Sequence, residues 1–438
     1  MNKIIYLIIL IVFGSCHNSE VKQTDNTEDN LTESEKIIAQ TLSEVDSLLK
    51  VDNGKFWDRP LYGPLLFINP ETRVFYTNEN NSNNEFEKIG NIYRDSLPTE
   101  INIANTAINW NNKRWTMIML PLPSDRVSRN NLIIHELFHG IQPTIGFENL
   151  QEMDNGHLDT YHGRLLLKLE LEALEKALST NDETERLSHI QNAFTFRSQR
   201  HKSSDIKQAE NSLELNEGLA EYTGMMLSGL TASEMKTHLS ESKAEFYTNP
   251  TFVRSFAYHT IPYYGYLLSS KKPNWHREIN SKTNLTDYFT NAFSVEIAKN
   301  RLIENIANEF DYNFLQIQKE ENERERLRIE KIANLKSKFL EKPTLELQFQ
   351  NMNISFDPRN ITPLENIGTV YSNLRITDNW GILTVENGAL LASDWSKVTV
   401  TVPTEISDKL VSGDGWKLEL NPEWQVEKID TKYKLGKR

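Results

Sequence analysis

Residues 114–143 read RWTMIMLPLPSDRVSRNNLIIHELFHGIQP and place two hydrophobic patterns side by side. The first ten residues form a short apolar run that is closed by prolines, which is typical of a strand. In the remainder, apolar residues recur at helical spacing between a candidate N-cap at Ser124 and the helix-ending residues Gly140 and Pro143. The sequence therefore predicts a strand that leads directly into an amphipathic helix.

The predicted helix carries His135, Glu136 and His139 in the order His-Glu-x-x-His. Positions i and i+4 share one face of a helix, so both imidazoles can reach one metal ion. Glu136 lies at the side of that ion, where it can take a proton from a water that the ion activates. Because unpaired polar groups on a buried helix cost free energy, the pattern favours a Zn²⁺ site, with a chance polar stripe as the alternative.

Two patterns downstream of the helix can supply the third ligand that such a site requires. The first places a glycine and a histidine three and six residues after the second histidine, but Gln142 and Ile145 stand there. The second is a Glu on a later helix, and residues 215–221 read LNEGLAE. This stretch resembles the Asn-Glu-Gly-x-Ala helix of gluzincin metallopeptidases, most closely the aminopeptidase N-like enzymes. The resemblance implies a zinc metallopeptidase in which Glu217 is the third ligand.

The resemblance to gluzincins covers these two short motifs and the helices around them. Glu217 follows His139 at a much greater distance along the chain than in aminopeptidase N-like enzymes. The Gly-x-Met-Glu-Asn motif, with which those enzymes bind the free amine of a substrate, is absent from the sequence, so exopeptidase action is not implied. Glu214 and Glu221 flank Glu217 on about the same helix face. Either can replace it as a ligand or accept a hydrogen bond from a ligand histidine, but an ordinary exposed carboxylate is the favoured alternative for both.

Hydrolysis of a peptide bond also requires a hydrogen-bond donor for the developing oxyanion. In gluzincins this donor is often a Tyr or His beyond the third ligand, and residues 253–270, VRSFAYHTIPYYGYLLSS, offer several candidates. The Pro-Tyr-x-Gly portion loosely resembles the tyrosine-bearing helix of aminopeptidase N-like enzymes. By that resemblance Tyr264 is the first candidate and Tyr258 the second, with packing in the core as the alternative for each.

The predicted strand before the helix has two candidate roles. Zincins align the substrate backbone along an edge strand above the metal, and a strand that directly precedes the motif helix can serve in this way. The alternative is an interior strand of the core. The sequence favours neither role.

The first sixteen residues resemble a bacterial lipoprotein signal. A short positive start precedes an unbroken apolar run from Ile4 to Phe13, which is too short to span a bilayer as a mature helix. Small residues then lead to Cys16, the single cysteine of the chain. We therefore expect removal of residues 1–15, a lipid anchor at Cys16 and a flexible tether over 16–31, with a plain secretory signal as the alternative. The expected location is the bacterial cell envelope, at the outer membrane or the cell surface.

Composition narrows the partners and the chemistry. The net charge of −13 argues against nucleic acid as a partner, because phosphate binding requires clustered Lys and Arg. With Cys16 at the start of the mature chain, the folded body has no thiol. Any metal there must be held by His and carboxylate side chains.

The pattern changes from helical to alternating near residue 343. The segments TLELQF, KVTVTVP and WKLEL alternate apolar with polar residues, and Asn387-Gly388 predicts a hairpin-type turn between ILTVE and ALLA. We therefore predict an α+β chain. A zincin-like, mainly helical catalytic domain over 32–341 contains a small sheet before the motif helix and ends in a long charged helix. An antiparallel, β-sandwich-like domain follows over 342–438.

Together the patterns predict a membrane-anchored, zinc-dependent metallopeptidase that acts on a peptide or protein substrate, with Glu136 as general base. The alternative from another class is a non-catalytic binding lipoprotein on a degenerate zincin scaffold. A purely structural zinc site, with Glu221 as a fourth ligand, is a third reading. Cleavage preference and oligomeric state are not predicted.

Overall fold

The computed structural model describes residues 31–298, 301–357, 360–429 and 432–438. Helices dominate the first part of the chain after one small sheet, and strands dominate from Thr344 onward. The predicted α+β class is therefore confirmed. The predicted signal peptide, the lipidated Cys16 and the tether up to residue 30 lie outside the described residues. Within the described ranges, no helix is long and apolar enough to cross a membrane.

The chain divides into two compact units. Among the described residues, the first comprises 31–155 and 170–298, and the second comprises 156–169 and the described residues from 301 onward. The second unit thus contains residues 301–341 as well as the strands that follow them. The predicted boundary near residue 342 remains a prediction.

Helices and strands are numbered in chain order. The helices are α1 (Glu33–Asp52), α2 (Arg126–Ile141), α3 (Tyr161–Ser179), α4 (Glu183–Arg200), α5 (Ser204–Leu213), α6 (Leu219–Leu227), α7 (Ala232–Phe246), α8 (Ala257–Ser269), α9 (Leu285–Phe293), α10 (Ile303–Glu309) and α11 (Phe314–Lys336). The strands of the first unit are β1 (Leu65–Ile68), β2 (Val74–Thr77), β3 (Glu87–Ile89), β4 (Ile92–Ser96), β5 (Thr106–Trp110) and β6 (Lys113–Met119). Those of the second are β7 (Thr344–Gln348), β8 (Asn353–Phe356), β9 (Ile361–Pro363), β10 (Gly368–Tyr371), β11 (Leu374–Asp378), β12 (Gly381–Val385), β13 (Ala389–Ala392), β14 (Lys397–Thr401), β15 (Pro403–Ile406), β16 (Leu410–Gly413), β17 (Trp416–Leu420), β18 (Trp424–Ile429) and β19 (Lys432–Lys437).

The sheet of the first unit has the order β3-β4-β2-β1-β6-β5. The apolar run at 114–123 forms β6, which pairs with β1 in parallel and with β5 in antiparallel orientation. Trp115, Met117 and Ile118 of β6 are fully buried. The interior-strand alternative therefore describes β6, and β5 is the edge strand beside it in the described sheet.

Helix α2 carries the His-Glu-x-x-His motif and begins one residue later than predicted. Its N-cap is Asp125, whose side chain accepts a hydrogen bond from the backbone N–H of Ser128, so Ser124 is not the cap. The helix packs against α6 at a close approach between Gly224 and Asn131. A Cβ atom on Gly224 would lie 2.2 Å from the Asn131 side-chain oxygen. Only glycine allows this separation, which brings the residues of α6 next to the motif helix.

The second unit contains a sandwich of two sheets, as predicted. Their orders are β18-β19-β7-β14-β13-β10-β9 and β15-β16-β17-β12-β11-β8, and one core cluster draws side chains from both. The pairing is antiparallel except that β19 runs parallel to β7. Strands β12 and β13 lie in different sheets, so the predicted hairpin at Asn387-Gly388 is wrong. The turn instead carries the chain from one sheet to the other.

Candidate metal centre

Three side chains from the two predicted motifs converge on one point. His135 and His139 project from α2, and their Nε2 atoms are 3.2 Å apart. The Oε2 atom of Glu217 lies 3.3 Å from Nε2 of His135 and 3.5 Å from Nε2 of His139. Ligand atoms at about 2.0–2.1 Å from a tetrahedral zinc ion lie about 3.3 Å from one another. The spacing of the three atoms thus fits the edges of a zinc tetrahedron.

Glu217 lies in a π-helical turn, Glu214–Gly218, that connects α5 to α6. Such turns shift the register of a helix and are frequent at functional sites. Helix α8 packs closely on this turn because Gly218 has no side chain, and a Cβ atom there would lie 2.6 Å from Ile261. This close packing brings the start of α8 to the candidate ligands.

Each imidazole has a hydrogen-bond partner on its outer nitrogen. Nδ1 of His135 lies 3.1 Å from Oε2 of Glu221, whose other oxygen accepts from Asn131 at 2.6 Å. Nδ1 of His139 lies 2.8 Å from Oε1 of Gln142. In a neutral imidazole, an oxygen acceptor at Nδ1 places the hydrogen there and leaves the Nε2 lone pair facing the cluster. Both imidazoles therefore present the atom that a metal ion binds.

Electrostatics at the cluster favours a cation. Burial lowers the pKa of His135, but hydrogen bonds to the carboxylates of Glu217 and Glu221 outweigh burial and raise this pKa to about 10. Burial raises the pKa of Glu217, yet the two imidazoles hold it well below its usual range. A site that stabilises charge in this way suits a divalent ion as well as protons.

Glu136 lies beside the cluster and is nearly inaccessible to solvent, with a residue exposure of 6%. Its Oε2 atom is buried and has no hydrogen-bond partner in the described chain. Burial is also the main reason that the pKa of Glu136 is raised. A buried carboxylate oxygen without a partner costs free energy, so this atom is suited to a ligand that the protein itself does not supply.

The two predicted oxyanion donors occupy different places. The Tyr258 hydroxyl donates to Oε2 of Glu217 at 2.5 Å, and its ring stacks on His135 with centroids 5.4 Å apart. The Tyr264 hydroxyl instead donates to a buried oxygen of Glu170 at 2.8 Å, where it is part of the core. The order of preference between the two tyrosines is therefore reversed, because Tyr264 does not reach the cluster.

The carboxylates that flank Glu217 also separate. Glu221 is not an exposed side chain but the acceptor for Nδ1 of His135, on the side of the ring away from the cluster. In this position it cannot be the fourth ligand of a structural zinc site. Glu214 is buried as well, and it accepts two hydrogen bonds from the guanidinium of Arg197, at 2.6 and 2.9 Å. The exposed-carboxylate alternative is wrong for both residues.

The cluster opens into a cleft of about 790 Å³. Its lining includes Glu136, the three candidate ligands, and Thr106 and Ala107 of the edge strand β5. The remaining wall includes Phe147, Leu150 and Arg254. Neither β5 nor Gln142 was predicted to contribute to the site, although the position of β5 next to β6 was an available signal.

Comparison of the chain with models of protein families, with curated proteins and with solved structures gives no match. The geometry of the cluster and the two motifs are therefore the basis for inferring a function. The three candidate ligands form the group of metal-binding side chains found within the described residues. Their donor set, two imidazoles and one carboxylate, is a set that zinc enzymes use.

Proposed function

We propose that this protein is a zinc-dependent metallopeptidase of gluzincin type. The observation that carries the proposal is the spacing of the ligand atoms of His135, His139 and Glu217, at 3.2 to 3.5 Å. When bound, Zn²⁺ supplies a Lewis acid that acidifies water and polarises a carbonyl group. Two imidazoles and one carboxylate would hold the ion with three protein ligands, the number typical of catalytic rather than structural zinc sites.

Four residues of the chain have separate roles in the proposed hydrolysis. Glu136 takes a proton from the attacking water through its buried, unpartnered oxygen and passes that proton to the nitrogen of the leaving amine. Tyr258, whose hydroxyl lies within hydrogen-bond distance of Glu217, donates to the oxyanion as the carbonyl carbon becomes tetrahedral. Glu221 and Gln142 hold the imidazoles in the required tautomer.

An extended peptide is the substrate that fits the cleft. The edge strand β5 lines the cleft with Thr106 and Ala107, and it pairs with β6 along its other side. A peptide that adds to the exposed backbone of β5 would run past the candidate ligands and present its carbonyl groups to them. We therefore assign the alignment of the substrate backbone to β5, the neighbour of the run at 114–123 for which the sequence suggested this role.

The proposed location is the bacterial cell envelope, with the chain held at the membrane by a lipid on Cys16. The sequence of residues 1–16 supports this location. Fractionation of cells that express the full chain, compared with a Cys16→Ser variant, tests it. A wild-type chain that is recovered in the soluble fraction would contradict the anchor.

Metal removal tests the proposed function directly. The purified protein should contain one zinc ion per chain and should cleave members of a peptide library. Chelation should abolish cleavage, and stoichiometric Zn²⁺ should restore it, because the chain offers no other cluster suited to the ion among its described residues. A protein that binds no zinc would refute the proposal. Zinc without cleavage of any peptide would favour the alternative, a non-catalytic binding lipoprotein.

Replacement of Tyr258 by Phe should lower kcat by about 10²–10³-fold with little change in KM, because the oxyanion loses its donor. Tyr264→Phe is a matched control, since it removes the same hydroxyl from a buried site that does not reach the cleft. The control should lose about 1–3 kcal/mol of stability, the cost of an unpaired buried group, but keep its kcat. Steady-state kinetics and thermal unfolding measure the two effects. Equal kcat values for both variants would exclude Tyr258 as the donor.

A further inference from the structure

Gln142 connects the two halves of the candidate metal centre. It follows directly after α2, and it is buried, with a residue exposure of 5%. Its Nε2 atom donates to the backbone oxygens of Leu215 and Asn216, at 3.2 and 3.1 Å. Its Oε1 atom lies 2.8 Å from Nδ1 of His139. One amide group thus contacts a candidate ligand on α2 and the π-helical turn that carries Glu217.

The hydrogen bonds of Gln142 determine the tautomer of His139. Backbone oxygens only accept hydrogen bonds, so the nitrogen of the amide must face Leu215 and Asn216. The amide oxygen therefore faces His139, and because it too only accepts, Nδ1 of His139 must carry the hydrogen. The lone pair of Nε2 then points to the cluster. These donors and acceptors therefore fix the tautomer of the neutral His139 imidazole.

The side chain of Asn216, which precedes Glu217, does not perform this task. Its amide nitrogen donates to Oε1 of Glu217 at 3.0 Å. Among the described residues, Gln142 is therefore the hydrogen-bond partner of Nδ1 of His139. The contact is also specific in register, because Leu215 and Asn216 immediately precede the candidate ligand Glu217.

We infer that Gln142 is a positioning residue that sets the metal affinity of the site. It orients the His139 ring and fixes the distance between α2 and the turn that carries Glu217. This inference rests on the proposed zinc site. Partners of ligand histidines outside the first coordination sphere contribute about 10–100-fold to metal affinity, and Gln142 adds to that role the contact with the second ligand-bearing segment.

Chelator competition tests the inference by measuring the zinc dissociation constant. Gln142→Met keeps the length of the side chain but removes both kinds of hydrogen bond, so zinc should bind about 10–100-fold more weakly. The absorption spectrum of the Co²⁺-substituted variant should change, since the His139 ring is released. Gln191→Met is a matched control, because Gln191 also donates to a backbone oxygen, that of Glu296, without contact to the candidate ligands. The control should keep wild-type zinc affinity.

Gln142→Glu separates positioning from general stability. The carboxylate keeps an acceptor for His139 but has no donor for the backbone oxygens of Leu215 and Asn216. The zinc affinity of Gln142→Glu should therefore be closer to that of the wild type than the zinc affinity of Gln142→Met is. The melting temperature of the metal-free Gln142→Glu chain should nevertheless fall. Wild-type zinc affinity in both variants would overturn the inference, because neither the orientation of His139 nor the contact with the turn would then matter.

The outcomes distinguish the inference from the proposed function. A wild-type chain that binds zinc, together with Gln142→Met that binds it as tightly, contradicts the inference alone. A wild-type chain that binds zinc but cleaves no peptide contradicts the peptidase and leaves the role of Gln142 to be decided by the affinities. A wild-type chain that binds no zinc contradicts both.

Discussion

Replacement of Glu136 by Gln should lower kcat by about 10²–10⁴-fold while one zinc ion per chain stays bound. The amide has the shape of the carboxylate but cannot take a proton from the attacking water. The Oε2 atom of Glu136 is buried and has no protein partner, so the substitution breaks no hydrogen bond of that atom. Steady-state kinetics on a peptide selected from the library, with metal analysis of the same sample, measures both quantities.

Glu148→Gln is the matched control for this substitution. Glu148 is an exposed carboxylate that lines the same cleft, so the control makes the same substitution at a position that is open to solvent. It should leave kcat within about a factor of two of the wild type, because a screened surface charge interacts weakly with the reacting atoms. A Glu136→Gln variant that retains its zinc and its cleavage rate would exclude Glu136 as the general base.

The result also separates the enzyme from the binding lipoprotein. A site that only binds zinc has no use for a carboxylate that is buried beside the ligands and left without a partner, because such a group costs stability. If neither the wild type nor the variant cleaves peptides, this cost is unexplained by catalysis. The variant should then be more stable than the wild type, since an amide is cheaper to bury than a charge.

The two histidine ligands were predictable because their geometry is local. The spacing of His135 and His139 places both on one helix face whatever the rest of the fold does. The order of the tyrosines was not predictable in this way. Tyr258 and Tyr264 are six residues apart, so they differ by about 240° around α8, and only the packing of α8 decides which one faces the cluster.

The strands show the same limit. The middle of strand β6 is buried on both faces, as is typical of an interior strand, but the sequence does not say which neighbour forms the edge. The turn at Asn387-Gly388 has hairpin composition, and Gly388 has a positive φ of 88°. Composition determines that the chain turns there, but it does not determine the pairing: β12 pairs with β11 and β17, and β13 pairs with β10 and β14.

The carboxylates near Glu217 illustrate a third limit. Charged residues are seldom fully buried, so exposure was the reasonable expectation for Glu214. Glu214 is buried because it forms an ion pair with the guanidinium of Arg197, which is buried as well. A sequence read one segment at a time does not reveal that a cation from α4 will meet an anion from the π-helical turn.

Replacement of Arg197 by Met should destabilise the metal-free protein by about 3–5 kcal/mol, the cost of removing one partner from a buried ion pair. The guanidinium is fully buried and donates to Glu170 at 2.7 Å and to Glu214 at 2.6 and 2.9 Å. Methionine fills a similar volume but leaves both carboxylates short of hydrogen bonds. Urea unfolding in the presence of a chelator measures the difference.

The destabilisation should depend on pH in a defined direction. Burial raises the pKa of Glu170, but the guanidinium groups of Arg197 and Arg200 outweigh burial and hold this pKa below its usual range. A carboxylate with a lowered pKa in the folded state stabilises the fold above its unfolded pKa of about 4.3. That contribution is lost as the pH falls through the folded pKa. The difference between wild type and Arg197→Met should therefore shrink in acid.

Arg126→Met is the control for the loss of stability in Arg197→Met. Arg126 pairs with Glu44 at 3.2 Å in the same unit, but 55% of its side chain is exposed. Exposed pairs of this kind contribute at most about 1 kcal/mol, so the control should unfold close to the wild type. Equal stabilities of the two variants would show that the buried network is dispensable. A large loss of stability for Arg197→Met alone would indicate that the buried ion pairs stabilise the π-helical turn that carries Glu217, because Glu214 is the first residue of that turn.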